Sequence, residues 1–136
     1  MNRGWFLAFA AIIIVLAIPT VLLYVLNNGN PYTEFIVNQY VPNYLKEKEM
    51  TQDRIKKSLY VEPKYLINRD FHHGHYMIIF KDEPDITYYY GLTKKGKQVK
   101  QFCEKDKESS DGTNIIENRT KHSEKKCVRM FDHRDE

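Results

Sequence analysis

The sequence carries no G-x-S-x-G, H-E-x-x-H, Walker or dinucleotide fingerprint, no internal repeat and no C-x-x-C pair. Each absence removes a class of chemistry. Without the fingerprints, no hydrolase nucleophile, zinc-protease helix or phosphate-cradling loop is on offer. Without C-x-x-C, a thioredoxin-like redox site is disfavoured. Cysteine is scarce, with only Cys103 and Cys127. Charge is missing altogether from Trp5 to Leu26.

What is present is unevenly spread. Of the 136 residues, 42% are hydrophobic, yet 20 of the 22 from Trp5 to Leu26 are, with only Pro19 and Thr20 interrupting. Residues 27–136 hold 36 hydrophobic and 38 charged residues in 110 positions. The mean hydropathy of −0.60 therefore averages a greasy segment and a wet one. That split excludes a multi-span membrane protein, a large enzyme and a coiled coil, and leaves room for one small domain.

A helix over the apolar segment would rise about 33 Å, against a hydrocarbon core of about 30 Å. Pro19 is tolerated in a spanning helix, and Trp5 and Tyr24 near its ends suit the lipid interface. A cleaved signal peptide is the competing reading. Its apolar run is about 7–15 residues and ends at a small-x-small site. This run is longer and exits through Tyr24-Val25-Leu26-Asn27-Asn28, and neither cysteine is close enough for lipoprotein processing. Residues 5–26 are thus expected to form an uncleaved signal-anchor, with the bilayer as partner. Arg3 precedes the span and no Lys or Arg follows until Lys46. Residues 1–4 should lie in the cytoplasm and residues 27–136 outside the cell membrane.

Beyond a hinge at 27–30, Asn30-Pro31 reads as a helix start, with Glu34 in the first turn. Phe35, Ile36, Tyr40, Tyr44 and Leu45 follow at helical spacing, and Pro42 should kink or end the helix. Thr51 is expected to cap a short second helix carrying Ile55. From Ser58 the period changes to two: Leu59, Val61, Tyr65 and Ile67 alternate, with Pro63 marking an edge strand or bulge. His75 to Lys81 and Ile86 to Leu92 predict two further strands around an Asp82–Asp85 turn. Gln98 to Cys103 predicts a fourth. The fold class is α+β: an N-terminal transmembrane helix, then a helix on an antiparallel meander of three to four strands over 31–104. Residues 105–136, dense in charge of both signs, are expected to be a mostly disordered tail.

The stretch YMIIFKDEPDITYYY, Tyr76 to Tyr90, resembles the domain of unknown function 3139 family. The resemblance covers residues 31–92 well and the anchor loosely. It implies a small membrane-anchored, extracytoplasmic domain in low-GC Gram-positive bacteria such as bacilli, with no catalytic motif to transfer. It does not reach the cysteine-bearing tail.

Four groups of residues remain as candidates. Cys103 and Cys127 are either free thiols or a disulfide. A bridge would close a loop of about 25 residues and contribute about 3 kcal/mol in the chain-entropy model. His72-His73-Gly74-His75 is metal-like, with His73 and His75 on one strand face. Zinc, however, needs three or four ligands, and the bland reading is a polar turn. Asp82, Glu83 and Asp85 lack the glycine and distal glutamate of a calcium loop and read as turn residues. The tyrosine-bearing strands are the better lead, with Tyr76, Ile78, Phe80, Tyr88 and Tyr90 on one face and Met77, Ile79 and Tyr89 on the other. One helix covers one face only, so an apolar surface should be left for a protein or peptide partner. Beyond the anchor, 20 basic and 18 acidic residues interleave, which disfavours nucleic acid. The expectation is a non-enzymatic extracytoplasmic binding or interaction module without a cofactor. The alternative is a metal-binding or accessory enzyme protein using His72–His75.

Overall fold

The computed structural model describes residues 2–134. The chain divides into two compact units, one through Tyr32 and the other from Thr33 onward. The first is α1 (Arg3–Asn28), 26 residues containing Pro19. The span from Arg3 to Asn27 is long and apolar enough to cross a membrane by length and composition. Its large apolar side chains are exposed, Trp5 at 76% and Leu26 at 80%. The Thr20 hydroxyl donates to the Leu16 carbonyl at 3.0 Å beside the proline. Gly29, at φ 82°, stops the helix and donates its N–H to the Val25 carbonyl at 2.8 Å. Asn27 and Asn28 are thus helical, and the expected four-residue hinge reduces to Gly29 and Asn30.

The second helix, α2 (Pro31–Glu47), begins as expected: the Asn30 side chain accepts from the Tyr32 N–H at 2.9 Å. Pro42 does not end it. Its buried stripe is Thr33, Ile36, Val37, Val41 and Leu45, whereas Phe35 is 66% exposed. The spacing rule found the helix but put two aromatics in the buried stripe that are exposed, Phe35 and Tyr40. Glu49 turns the chain at φ 60°, and the Met50 N–H returns to the Leu45 carbonyl at 2.9 Å. The expected second helix is a single 3-10 turn, Gln52–Arg54, and Ile55 opens a strand instead.

Six antiparallel strands follow: β1 (Ile55–Val61), β2 (His75–Phe80), β3 (Glu83–Leu92), β4 (Val99–Gln101), β5 (Lys105–Ser109) and β6 (Gly112–Ile116). The α+β class stands, with six strands rather than three or four. β1 ends before Pro63, which cannot donate to a ladder. The β2–β3 turn is Lys81-Asp82, and Glu83 already pairs with Phe80. A register break between Ile78 and Phe80 absorbs Pro84 and Asp85 inside β3. Beyond its pairing with β2, β3 splits its other edge. Tyr90 to Leu92 pair with β4, while Ile86 and Thr87 pair with β5.

Period-two alternation then builds two cores. On one face Ile78, Phe80, Tyr88, Tyr90 and Leu92 pack with Val37 and Val41 of α2, all at 0% exposure. Each such side chain contributes about 1.5–3 kcal/mol. On the other face Phe71 and Phe102 join Ile67 and Met130, with Tyr89, Val128 and Phe131 at the margin. Gly91 makes this possible: a Cβ there would stand 2.6 Å from the Phe102 ring and 2.8 Å from Phe71.

Met130 and Phe131 belong to the segment expected to be disordered, so that expectation is corrected. β5 and β6 form a charged ribbon on the edge of β3, and Val128 bridges Phe102 in parallel. Backbone pairing to an existing edge needs no apolar alternation, which is why composition missed it. A buried Asn68 holds the arm, donating its N–H to the Met130 carbonyl at 2.6 Å and its side-chain amide to Arg129 at 3.2 Å. Cys103 and Cys127 are joined, with Cα atoms 4.9 Å apart.

Candidate functional site

The tyrosine strands do not form an accessible surface. Tyr76, Ile78, Phe80, Tyr88 and Tyr90 are between 0% and 8% exposed and constitute the core beneath α2. On the opposite face Tyr89 packs against Ile67, Phe71, Phe102 and Met130 from the returning chain and the arm, and Met77 and Ile79 are half-buried. The sequence pattern identified which residues share a face; it could not say that both faces have covers.

The histidines are not brought to one point. His73 Nε2 lies 3.1 Å from the Pro63 carbonyl. His75 is buried between Tyr89 and Phe102, ring centroids 5.4 and 5.2 Å away, and its Nε2 has no hydrogen-bond partner. Burial, with the neighbouring His73, pushes its pKa down to about 4. Among the described residues no group of three or more His, Cys, Asp or Glu side chains is placed to hold a metal ion.

The acidic turn docks the arm. Asp82 pairs with Lys121 Nζ and His122 Nε2, each at 2.8 Å, and these bonds hold its pKa down at about 2. Glu83 accepts from the Tyr88 hydroxyl and from the Lys121 N–H at 3.2 Å. The His122 ring stacks on Phe80 at 3.8 Å. Buried Gln101 completes the fastening. Its amide donates to the Tyr90 hydroxyl (2.9 Å) and the His122 carbonyl (3.0 Å), and its oxygen accepts from the Glu124 N–H (2.7 Å).

This docking creates a groove that no single stretch of sequence announces. It is open, about 700 Å³, with Tyr44, Met50, Val99 and Gln101 among its lining residues. Five cations also line it: Lys48 after α2, Lys100 on β4, and Arg119, Lys125 and Lys126 on the arm. Among the described lining residues the one carboxylate is Glu124, which accepts a hydrogen bond from the Tyr44 hydroxyl. Burial and this carboxylate raise the Tyr44 pKa, so the phenol stays protonated and the bond holds. Lys48 Nζ sits 5.6 Å from the centre of the Tyr44 ring. Among the described residues the arm's ion pairs use Lys121, His122 and Arg129, and none uses the five groove cations. The groove thus concentrates an excess of positive charge over an aromatic and aliphatic floor.

Against known families, the match is to one described as protein of unknown function (DUF3139), over residues 2–90. The chain belongs to the DUF3139 family. No curated protein and no solved structure matches it. The DUF3139 match takes in α1, α2, β1, β2 and β3 through Tyr90, and stops short of β4. Tyr44 and Lys48 therefore fall inside the DUF3139 region. Lys100, Arg119, Lys125, Lys126 and both cysteines fall beyond it.

The five cations are spread from position 48 to 126, so no single window of sequence contains them all. The Lys125-Lys126 doublet is the one local signal, and the acids interleaved around it hide it. Which acids are consumed by internal pairs is decided in three dimensions.

Proposed function

We propose that this chain is a single-pass, membrane-anchored, non-enzymatic binding module of a Gram-positive cell envelope. α1 serves as an uncleaved signal-anchor, with the Arg3 end in the cytoplasm and the unit from Thr33 outside. Support for the anchor comes from its length, its lack of charge from Trp5 to Leu26 and the exposure of its large apolar side chains. The observation that carries the binding role is the groove: five cations, none in an ion pair among the described residues, outnumber one carboxylate on a floor held by Gln101, Tyr44 and the Cys103–Cys127 bridge. Fixed shape with an excess of charge is what a recognition surface needs and what a solvated charged face lacks.

Photo-crosslinking in living cells tests the reading. A photoreactive residue at position 100 or 126 should give a defined adduct that is missing when the probe sits at exposed position 57 on β1. The same adducts from all three positions would remove the groove from consideration. Added protease should digest the unit from Thr33 on intact cells while sparing an N-terminal tag. Protection of that unit would reverse the topology.

A further inference from the structure

We infer that the groove takes a linear, phosphate-bearing polymer, bound through repeated phosphates rather than at one anion. This rests on the binding role proposed above and names its ligand class. The argument is one of arrangement. A site for a single anion converges donors on a point, usually with backbone N–H groups from a helix N-terminus or a nest. Here the charges come from three separate segments: Lys48 after α2, Lys100 on β4, and Arg119, Lys125 and Lys126 on the arm. They line an open groove, which fits a ligand that presents charge at intervals.

The groove's own acid, Glu124, offsets one of the five cations and leaves an excess of four among the described lining residues. Glu124 is engaged by the Tyr44 hydroxyl, and the neighbouring acid Asp82 is already paired with Lys121 and His122. Between the cations, Tyr44, Met50 and Val99 offer an apolar floor suited to the carbon linkers of such a polymer. Phosphodiester groups keep their charge across the whole physiological pH range, and guanidinium and ammonium groups both bind phosphate well.

The test uses the full chain in nanodiscs of zwitterionic lipid, with long-chain inorganic polyphosphate as probe. Five contacts predict a slope of about −3.5 for log affinity against log salt. Binding should therefore weaken about 100-fold between about 50 and about 200 mM salt. Lys100→Gln and Lys125→Gln should each flatten that slope by about 0.7. Lys57→Gln, on β1 across the sheet, should leave it unchanged. Each variant is first shown to keep its near-ultraviolet circular dichroism.

Equal losses from all three variants would assign the binding to overall charge and overturn the inference. So would polyglutamate binding as tightly as polyphosphate, or phosphatidylglycerol vesicles displacing the polymer at equal phosphate concentration. If polyphosphate fails to bind while groove-specific crosslinks persist, the ligand class falls and the binding role stands. Loss of both removes the groove altogether.

Discussion

His75 should make the folded unit sensitive to mild acid. Its ring is 2% exposed and packed on Tyr89 and Phe102, and its Nε2 has no hydrogen-bond partner. Burial therefore favours the neutral imidazole, and its pKa falls from 6.5 to about 4. In the window between those values the unfolded chain binds a proton that the folded chain refuses. Stability is complete above the unfolded value and drains away as the pH falls towards the folded one. The loss amounts to about 3 kcal/mol over the window. Urea titrations of the full chain in neutral detergent, followed by near-ultraviolet circular dichroism, read this directly. His75→Phe keeps an aromatic ring in the slot and has nothing to protonate. His75→Leu guards against a misfit of the larger ring. Both should be as stable near pH 5 as near neutrality, apart from changes common to the whole series. If the wild-type loss between about pH 6.5 and about pH 4 persists undiminished in both variants, the burial argument is wrong.

Glu104 should act in the opposite sense. It is buried, and its carboxylate accepts from the N–H groups of Met130 (2.7 Å) and Phe131 (3.2 Å), but its second oxygen is unpartnered. Burial raises its pKa above the usual carboxylate value. The folded state therefore gains stability as pH falls through that raised value. Glu104→Gln should remove this component and stabilise the protein at neutral pH, as read in the same titrations. Replacing Cys103 and Cys127 by serine opens a loop of sequence separation 24. The chain-entropy model sets the cost at about 3.4 kcal/mol, and dithiothreitol should then have no further effect on the melting of that variant. Phe35→Ser should change stability by less than about 0.5 kcal/mol, and Val37→Ala should cost about 2 kcal/mol. The reverse order would mean that the helix presents the face its simple spacing suggested.

Much of the architecture was legible because burial leaves a periodic trace. The 3.6-residue stripe through Ile36 and Leu45 and the alternation of Tyr76, Ile78 and Phe80 each reported a buried face directly. Phe35 was misplaced because a stripe of aromatics and aliphatics wide enough to contain it was also wide enough to be wrong by one position. Residues 105–116 left no trace. Their pairing with β3 is made by backbone, and Lys105-Asp106-Lys107-Glu108-Ser109 shows only charge. The second core was equally hidden, since it is assembled from Ile67, Phe71, Phe102 and Met130, isolated apolar residues with no period among them.

By itself the sequence determined the apolar segment that is able to span a bilayer, the α+β class and the membership of one sheet face. These are local properties, written in consecutive or regularly spaced residues. Only the tertiary structure decided that the aromatic face is interior, that the charged C-terminal arm is ordered, and that the three histidines do not converge. It also decided where charge is left over. Asp82 lies close to the arm and is spent on Lys121 and His122, while among the described residues no carboxylate forms an ion pair with Lys100, Lys125 or Lys126. Charge neutralisation acts over a few ångströms, and proximity on that scale is set by the fold.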